Sequence, residues 1–158
     1  NIMIRDLETT DLKKLVECVE LYKETVGVES VDKEYLIKQI KESLIHQNHK
    51  IIVKEMMGKV VGFAVGTLLQ NHWNGKRYGE VSYIFAHREL MGSTVKKELF
   101  DNLNQWFREE GCHYSLSLTS HWDKNYEPET EFLNTTKHFY TQAGCKVVGY
   151  NFVKELNA

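Results

Sequence analysis

GEVSYIFA (Gly79–Ala86), HRELMGST (His87–Thr94) and VKKELFDNLNQWFREE (Val95–Glu110), closed by Gly111, form the stretch on which the fold turns. The first run is rich in β-branched and aromatic residues and reads as a strand. The third places Val95, Leu99, Leu103 and Trp106 on one helical face, with Gly111 as a left-handed exit. The break between them holds one glycine, Gly92, and aims the first backbone N–H groups of the helix at open space. Such groups hold anions. The junction is therefore a candidate site for a phosphate-bearing ligand. Beyond it, HYSLSLTS (His113–Ser120) alternates Tyr114, Leu116 and Leu118 with small polar residues and reads as a half-exposed strand. Strand, helix and strand in this order require a parallel pair joined by a right-handed crossover.

Upstream, IMIRDL (Ile2–Leu7) alternates as a first strand. Thr9 or Thr10 is placed to cap a helix carrying Leu12, Leu15, Val16, Val19 and Tyr22 at helical spacing, and Gly27 breaks it. Ser30 is expected to cap a second helix, with Asp32 and Glu34 in its first turn and Leu36, Ile37, Ile40 and Leu44 on one face. KIIVKEM and KVVGFAVGTLL flank Met57-Gly58 as an antiparallel hairpin. Downstream, the loop HWDKNYEPET (His121–Thr130) carries the only proline, and a helix over Glu131–Gln142 stops at Gly144. CKVVGYNFVKEL closes the chain as two short strand-like runs around Gly149. The order β-α-α-β-β-β-α-β-α-β-β defines a mixed α/β (α+β) sheet.

The 158 residues suffice for one ordinary domain, and 42% hydrophobic with 27% charged residues is a globular composition. Lys plus Arg number 20 against 22 Asp plus Glu, so no basic footprint invites nucleic acid. No apolar run approaches the roughly 20 residues that span a bilayer. The opening NIMIRDLETTD lacks the apolar core of a signal peptide. A cytoplasmic protein without membrane association is the expectation. The three cysteines (Cys18, Cys112, Cys145) sit in apolar surroundings and read as free thiols in a reducing compartment. The seven histidines lack ligand spacing, His46 and His49 included, and no metal site is expected.

NTTKHFYTQAGCKVVGYNFVKEL (Asn134–Leu156) carries Asn134, an aromatic-Tyr pair ending at Tyr140, then Gly144 and a closing hairpin pattern. Together with the opening IRDLETTDLKKL, this resembles the GCN5-related N-acetyltransferase (GNAT) superfamily over nearly the whole chain. The resemblance implies one acetyltransferase-like domain over residues 1–158. Its sheet would be mixed and mostly antiparallel, with a central splayed parallel pair and about four flanking helices. It implies direct transfer of an acetyl group from acetyl-CoA to a primary amine of a small molecule or peptide. No residue is needed as nucleophile.

The family's pyrophosphate loop, Arg/Gln-x-x-Gly-x-Gly/Ala, falls on Glu89–Thr94 and keeps only Gly92. Glu89 stands where a cation or amide is expected, and Thr94 where a tiny residue admits phosphate. The resemblance assigns the pyrophosphate to backbone N–H groups of Met91, Gly92, Ser93, Thr94 and Val95, with Lys96 and Lys97 near it. Pantetheine would lie against Ile84, Phe85 and Ala86 and reach Asn134. Tyr140 would protonate the leaving thiolate, and Glu80 would accept the amine proton. On periodicity alone, Tyr140 reads as a core aromatic beside Phe139 and Glu80 as a solvated strand residue. Ser82, His87 and His121 are other candidates for the base. Trp73, Tyr78, Trp122 and Tyr126 fall in loops that would flank the acceptor or make a homodimer contact. A GNAT-fold regulatory or binding protein with weak CoA affinity is the alternative.

Overall fold

The computed structural model describes residues 2–22, 31–87, 94–117 and 130–156. By internal contacts the chain divides into two compact units, one of residues 1–18 with 32–118 and one of residues 19–31 with 119–158. The first unit holds a five-stranded sheet of order β1-β2-β3-β4-β5. Its strands are β1 (Ile2–Asp6), β2 (His49–Met56), β3 (Lys59–Gln70), β4 (Arg77–Ala86) and β5 (Ser115–Ser117). Every pairing is antiparallel except β4 with β5. That parallel pair flanks the helix α3 (Val95–Glu109), as the strand–helix–strand reading requires. Helix α1 (Leu12–Tyr22) begins in this unit, which also contains α2 (Lys33–Ile45). The mixed, mostly antiparallel architecture is the expected one.

The β2–β3 hairpin turns on two residues, Met57 (φ 52°) and Gly58 (φ 76°). Positive φ at both positions matches the right-handed twist of the strands. Residue 57 is methionine and not glycine, so this turn departs from the usual side-chain preference. Further along, the β3–β4 register slips between Val65 and Gly66: Val65 faces Tyr83, while Gly66 faces Val81. Ser82 is the extra residue, a β-bulge. The slip reverses the facing of the rest of β4. Val81 lies on the α3 side with Gly66, whereas Tyr83 and Phe85 share the other side with Glu80.

Three glycines let α3 lie close on the sheet. A Cβ at Gly62 would meet the Phe85 carbonyl oxygen at 2.7 Å, and one at Gly66 would meet Phe107 Cζ at 3.0 Å. A Cβ at Gly79 would sit 2.4 Å from two atoms of the Phe107 ring. The helix buries Val95, Leu99, Phe100, Leu103 and Phe107. Trp106, expected in that stripe, stays half-buried and lies under the Lys50 ammonium, 5.6 Å from the ring centroid. Phe107 takes the central place because the glycines of β3 and β4 leave a slot one ring wide.

The helix starts differ from expectation. Ahead of α1, Thr9–Asp11 form a 3-10 turn whose N-cap is Glu8, so neither threonine is the cap. Asp11 Oδ2 accepts the Glu8 N–H at 2.9 Å and Arg5 Nη1 at 2.7 Å, while Oδ1 accepts Arg5 Nη2 at 3.0 Å. Arg5 Nε also reaches Glu55 at 3.3 Å. This forked arginine joins β1, β2 and the start of α1, which makes it worth more than a single surface pair. For α2 the N-cap is Asp32, whose carboxylate accepts the Tyr35 N–H at 3.0 Å. Ser30 lies outside the described residues.

The Arg5 guanidinium holds the Asp11 carboxyl below the ordinary carboxylate range, outweighing the opposing effect of burial. A lowered folded value means stability that is present above the unfolded value of about 3.9 and lost as pH falls through the folded one. Asp11→Asn should therefore cost about 2 kcal/mol at pH 7. Denaturant melts at pH 7 and pH 3 check this, because the gap between wild type and variant should narrow at the lower pH.

In the second unit, α4 (Thr130–Gln142) ends at Gly144 (φ 90°). Gly144 N–H donates to Thr141 O at 3.1 Å and Cys145 N–H to Tyr140 O at 2.9 Å. Helix α3 ends in the same way, with Gly111 donating to Arg108 O and Cys112 to Phe107 O. Both are Schellman exits, as the two glycines predict. The closing hairpin is not formed: residues 145–156 contain no strand. The doublets Val147-Val148 and Phe152-Val153 interrupt the alternation, and a two-stranded ribbon by itself is marginal in water.

Candidate active site

Strand β4 carries the site's first half. Its ladder with β5 covers Gly79–Val81, yet β4 runs on to Ala86, while the described part of β5 ends at Ser117. Ile84 pairs with Ala64, and Phe85 stacks on Phe63 with ring centroids 5.2 Å apart. Phe85 and Ala86 are buried and Ile84 is half-buried. His87 N–H donates to Val61 O at 2.7 Å. The strand is thus paired with β3 on both sides of the Ser82 bulge, up to Ala86.

Glu80 is half-buried, opposite Thr67 on β3 and alongside Leu116 on β5. Ser82 Oγ donates to Glu80 Oε1 at 3.3 Å. Next in the row, Thr67 Oγ1 lies 3.1 Å from His49 Nδ1. His49, Thr67 and Glu80 therefore form one polar row across β2, β3 and β4, on the sheet face away from α3.

At the junction, Met91, Gly92 and Ser93 lie outside the described residues, as do Arg88 and Glu89. Thr94 is the N-cap of α3, and Val95, its first residue, is buried. Thr94 Oγ1 donates to Glu98 Oε1 at 3.0 Å. Lys54, its side chain only 7% exposed, rises from β2 and donates to the other oxygen of Glu98. Lys54 holds the Glu98 carboxyl below its usual range. A carboxylate in the first turn of α3 would repel a diphosphate, but here a buried cation sits against it. Lys97 pairs with Asp101 at 2.6 Å. Burial lowers the pKa of the Lys96 ammonium. Lys54 is the residue sequence reasoning missed. Its place in an apolar strand, Val53-Lys54-Glu55, was the available signal.

Among the described loop aromatics, Trp73 stands 91% exposed in the β3–β4 turn. Tyr78 belongs to β4 and stacks on Tyr114 at 5.1 Å, with Asn71 Nδ2 donating to the Tyr114 hydroxyl at 3.0 Å. Trp122, Tyr126 and His121 lie outside the described residues. A shallow depression lined by Asn48, Leu68, Leu69, Gln70 and Arg77 lies at the opposite end of β4 from Ala86. All three cysteines are free; Cys18 is buried, whereas Cys112 and Cys145 are half-buried. Desolvation raises the pKa of each thiol, which keeps it a poor nucleophile.

Asn134 and Tyr140 belong to α4, in the second unit. Asn134 is exposed on the helix surface. Tyr140 is half-buried in the last turn, its ring edge-on to Phe139 at 5.1 Å. The site residues therefore fall in two groups. Glu80, Ile84, Phe85, Ala86, Thr94 and Val95 belong to the sheet unit, and Asn134 and Tyr140 to the other.

Solved acetyltransferases share this architecture. An aminoglycoside N-acetyltransferase AAC(6')-Iy, determined with CoA, superposes with a TM-score of 0.78 at 15% identity, over 100% of this chain and 96% of its own. A ribosomal-protein-alanine N-acetyltransferase from Brucella melitensis biovar Abortus 2308 gives 0.74 at 17% identity, over 99% and 100%. Glucosamine-6-phosphate N-acetyltransferase from Arabidopsis thaliana gives 0.72 at 19%, covering 99% of each chain. These define the fold class. The sequence itself matches the Acetyltransferase (GNAT) family over residues 15–144. The chain belongs to that family. No curated protein matches it.

Proposed function

We propose that this chain is one acetyltransferase domain over residues 1–158 that moves an acetyl group from acetyl-CoA to a primary amine by direct transfer. The observation that carries this reading is β4: a strand anchored on β3, extending past its described ladder with β5 toward the N-terminus of α3. Acetyl-CoA supplies the activated acetyl thioester. Backbone groups of Ile84, Phe85 and Ala86 align the pantetheine. The N–H groups of residues 91–95 receive the pyrophosphate, aided by the dipole of α3. The Lys54–Glu98 pair fits that role because it offsets the one acidic side chain in the helix's first turn.

In this reading Glu80 takes the proton from the acceptor ammonium, and the freed amine nitrogen attacks the thioester carbonyl. An N–H near Ile84 or Phe85 polarises that carbonyl. As the C–S bond breaks, Tyr140 gives its phenolic proton to the departing sulfur, and the second proton that the nitrogen loses as the amide forms restores the phenol. Asn134 contacts the pantetheine. The acceptor is an amine of a small molecule or peptide, the range that the relatives' names span. The free thiols suit a reducing, cytoplasmic setting. Trp73, at the exposed turn, is a candidate contact for the acceptor or a second copy.

A second reading, a regulatory GNAT-fold protein with weak CoA affinity, is favoured by one observation: the Thr94 hydroxyl and Lys97 are committed to Glu98 and Asp101. Acetyl-CoA binding separates the two. Calorimetry should detect binding, and about 100-fold excess over Kd should stabilise the fold by about 2.7 kcal/mol in thermal melts. No binding at millimolar acetyl-CoA would sink the enzyme reading.

A further inference from the structure

The base proposed above does not stand alone on its strand. Glu80 and Ser82, two residues apart, share one side of β4, and Ser82 Oγ donates to Glu80 Oε1 at 3.3 Å. Ser82 is also the extra residue of the β4 bulge, between Val81 opposite Gly66 and Tyr83 opposite Val65. A bulge leaves its extra residue outside the ladder and can re-aim its side chain, and here the Ser82 hydroxyl reaches Glu80. The direct cross-strand neighbour of Glu80, Thr67, contacts His49 Nδ1 at 3.1 Å. The described hydrogen bond to the Glu80 carboxylate comes from Ser82.

We infer that Ser82 is a positioning residue for Glu80. This rests on Glu80 being the general base. The Ser82 hydroxyl holds Oε1 and so fixes the plane of the carboxylate, leaving Oε2 aimed to take the amine proton. No bond to Ser82 forms or breaks during transfer: the proton moves from nitrogen to Oε2, and Ser82 keeps its own. Fixing a reacting group matters because a displacement of about 1 Å costs up to about 100-fold in rate.

The test is a double-mutant cycle of Ser82→Ala and Glu80→Gln, with Ser82→Thr as the conservative variant. Acetyl-CoA and three amine probes are used: an amino sugar, a linear polyamine and a peptide with a free N-terminus. Ser82→Ala should lower kcat about 10-fold with the KM for acetyl-CoA and the melting temperature unchanged. Ser82→Thr should restore most of the rate. In the Glu80→Gln background the same substitution should have no further effect. If Glu80→Gln is slow and Ser82→Ala is not, positioning is overturned while the base reading survives. An equal drop in both backgrounds also overturns it. A fully active Glu80→Gln removes the base reading and this inference with it. A readout independent of turnover is the Glu80 Cδ resonance in protein labelled with 13C-glutamate. It should move in Ser82→Ala and return in Ser82→Thr; an unmoved resonance overturns the inference.

Discussion

Gly79→Ala should destabilise the protein by about 3 kcal/mol, the upper end of what one added methyl in a packed interior costs. An alanine Cβ would lie 2.4 Å from Cγ and Cδ1 of Phe107 and 2.5 Å from Cδ2. These distances are far inside van der Waals contact. The ring cannot simply turn aside. Phe107 is 2% exposed, and the neighbouring Gly66 bounds the same slot, with its own missing Cβ 3.0 Å from Cζ. Relief requires lifting α3 from β3 and β4, which opens the contacts of Leu99 and Leu103, both 0% exposed. Urea melts read the loss as a lower midpoint at unchanged slope. Phe107→Leu in the Gly79→Ala background should recover part of it. Gly149→Ala, with nothing within 4 Å of the added carbon, should be neutral. A stable Gly79→Ala would show that the helix rides higher on the sheet than described.

Tyr140→Phe should lower kcat about 100-fold while leaving acetyl-CoA affinity unchanged, as expected for loss of a general acid. A phenol hydroxyl is an O–H donor of the kind that can pass a proton to a departing thiolate. The substitution removes only the hydroxyl. The ring keeps its edge-on contact with Phe139, and the backbone keeps the Cys145 N–H bond to Tyr140 O at 2.9 Å. Melting temperature, read on the same samples, separates a loss of chemistry from a loss of folding. Single-turnover kinetics with calorimetry on the same samples separate chemistry from binding. An unchanged kcat would remove Tyr140 from the acid role and return it to packing beside Phe139.

Much of the fold was legible locally. The strand–helix–strand reading of Gly79–Ser120 matches a parallel β4–β5 pair around α3. Gly111 and Gly144 both take the left-handed exits assigned to them. Helix starts were less legible. Asp32 caps α2 where Ser30 was expected, because any short polar side chain near a helix start competes for the same N–H groups; ahead of α1, Glu8 stands at the N-cap in place of Thr9 or Thr10, and the Asp11 carboxylate accepts its N–H. Of the candidate site, Glu80, Thr94 and Val95 are now placed on named elements. Met91, Gly92 and Ser93 lie outside the described residues.

From its sequence alone, this chain's family could be recognised, as could the strand–helix–strand unit that holds its junction. Those signals are short-range: residue spacing, glycine exits and apolar periodicity. Only the tertiary structure decided that β4 slips at Ser82, that Phe107 rather than Trp106 fills the glycine slot, and that Lys54 sits against Glu98. Each depends on residues far apart in the chain meeting across strands or between sheet and helix. Cross-strand register is set by the whole ladder, and a one-residue slip turns every later side chain to the other face. No local pattern in GEVSYIFA records which face that is.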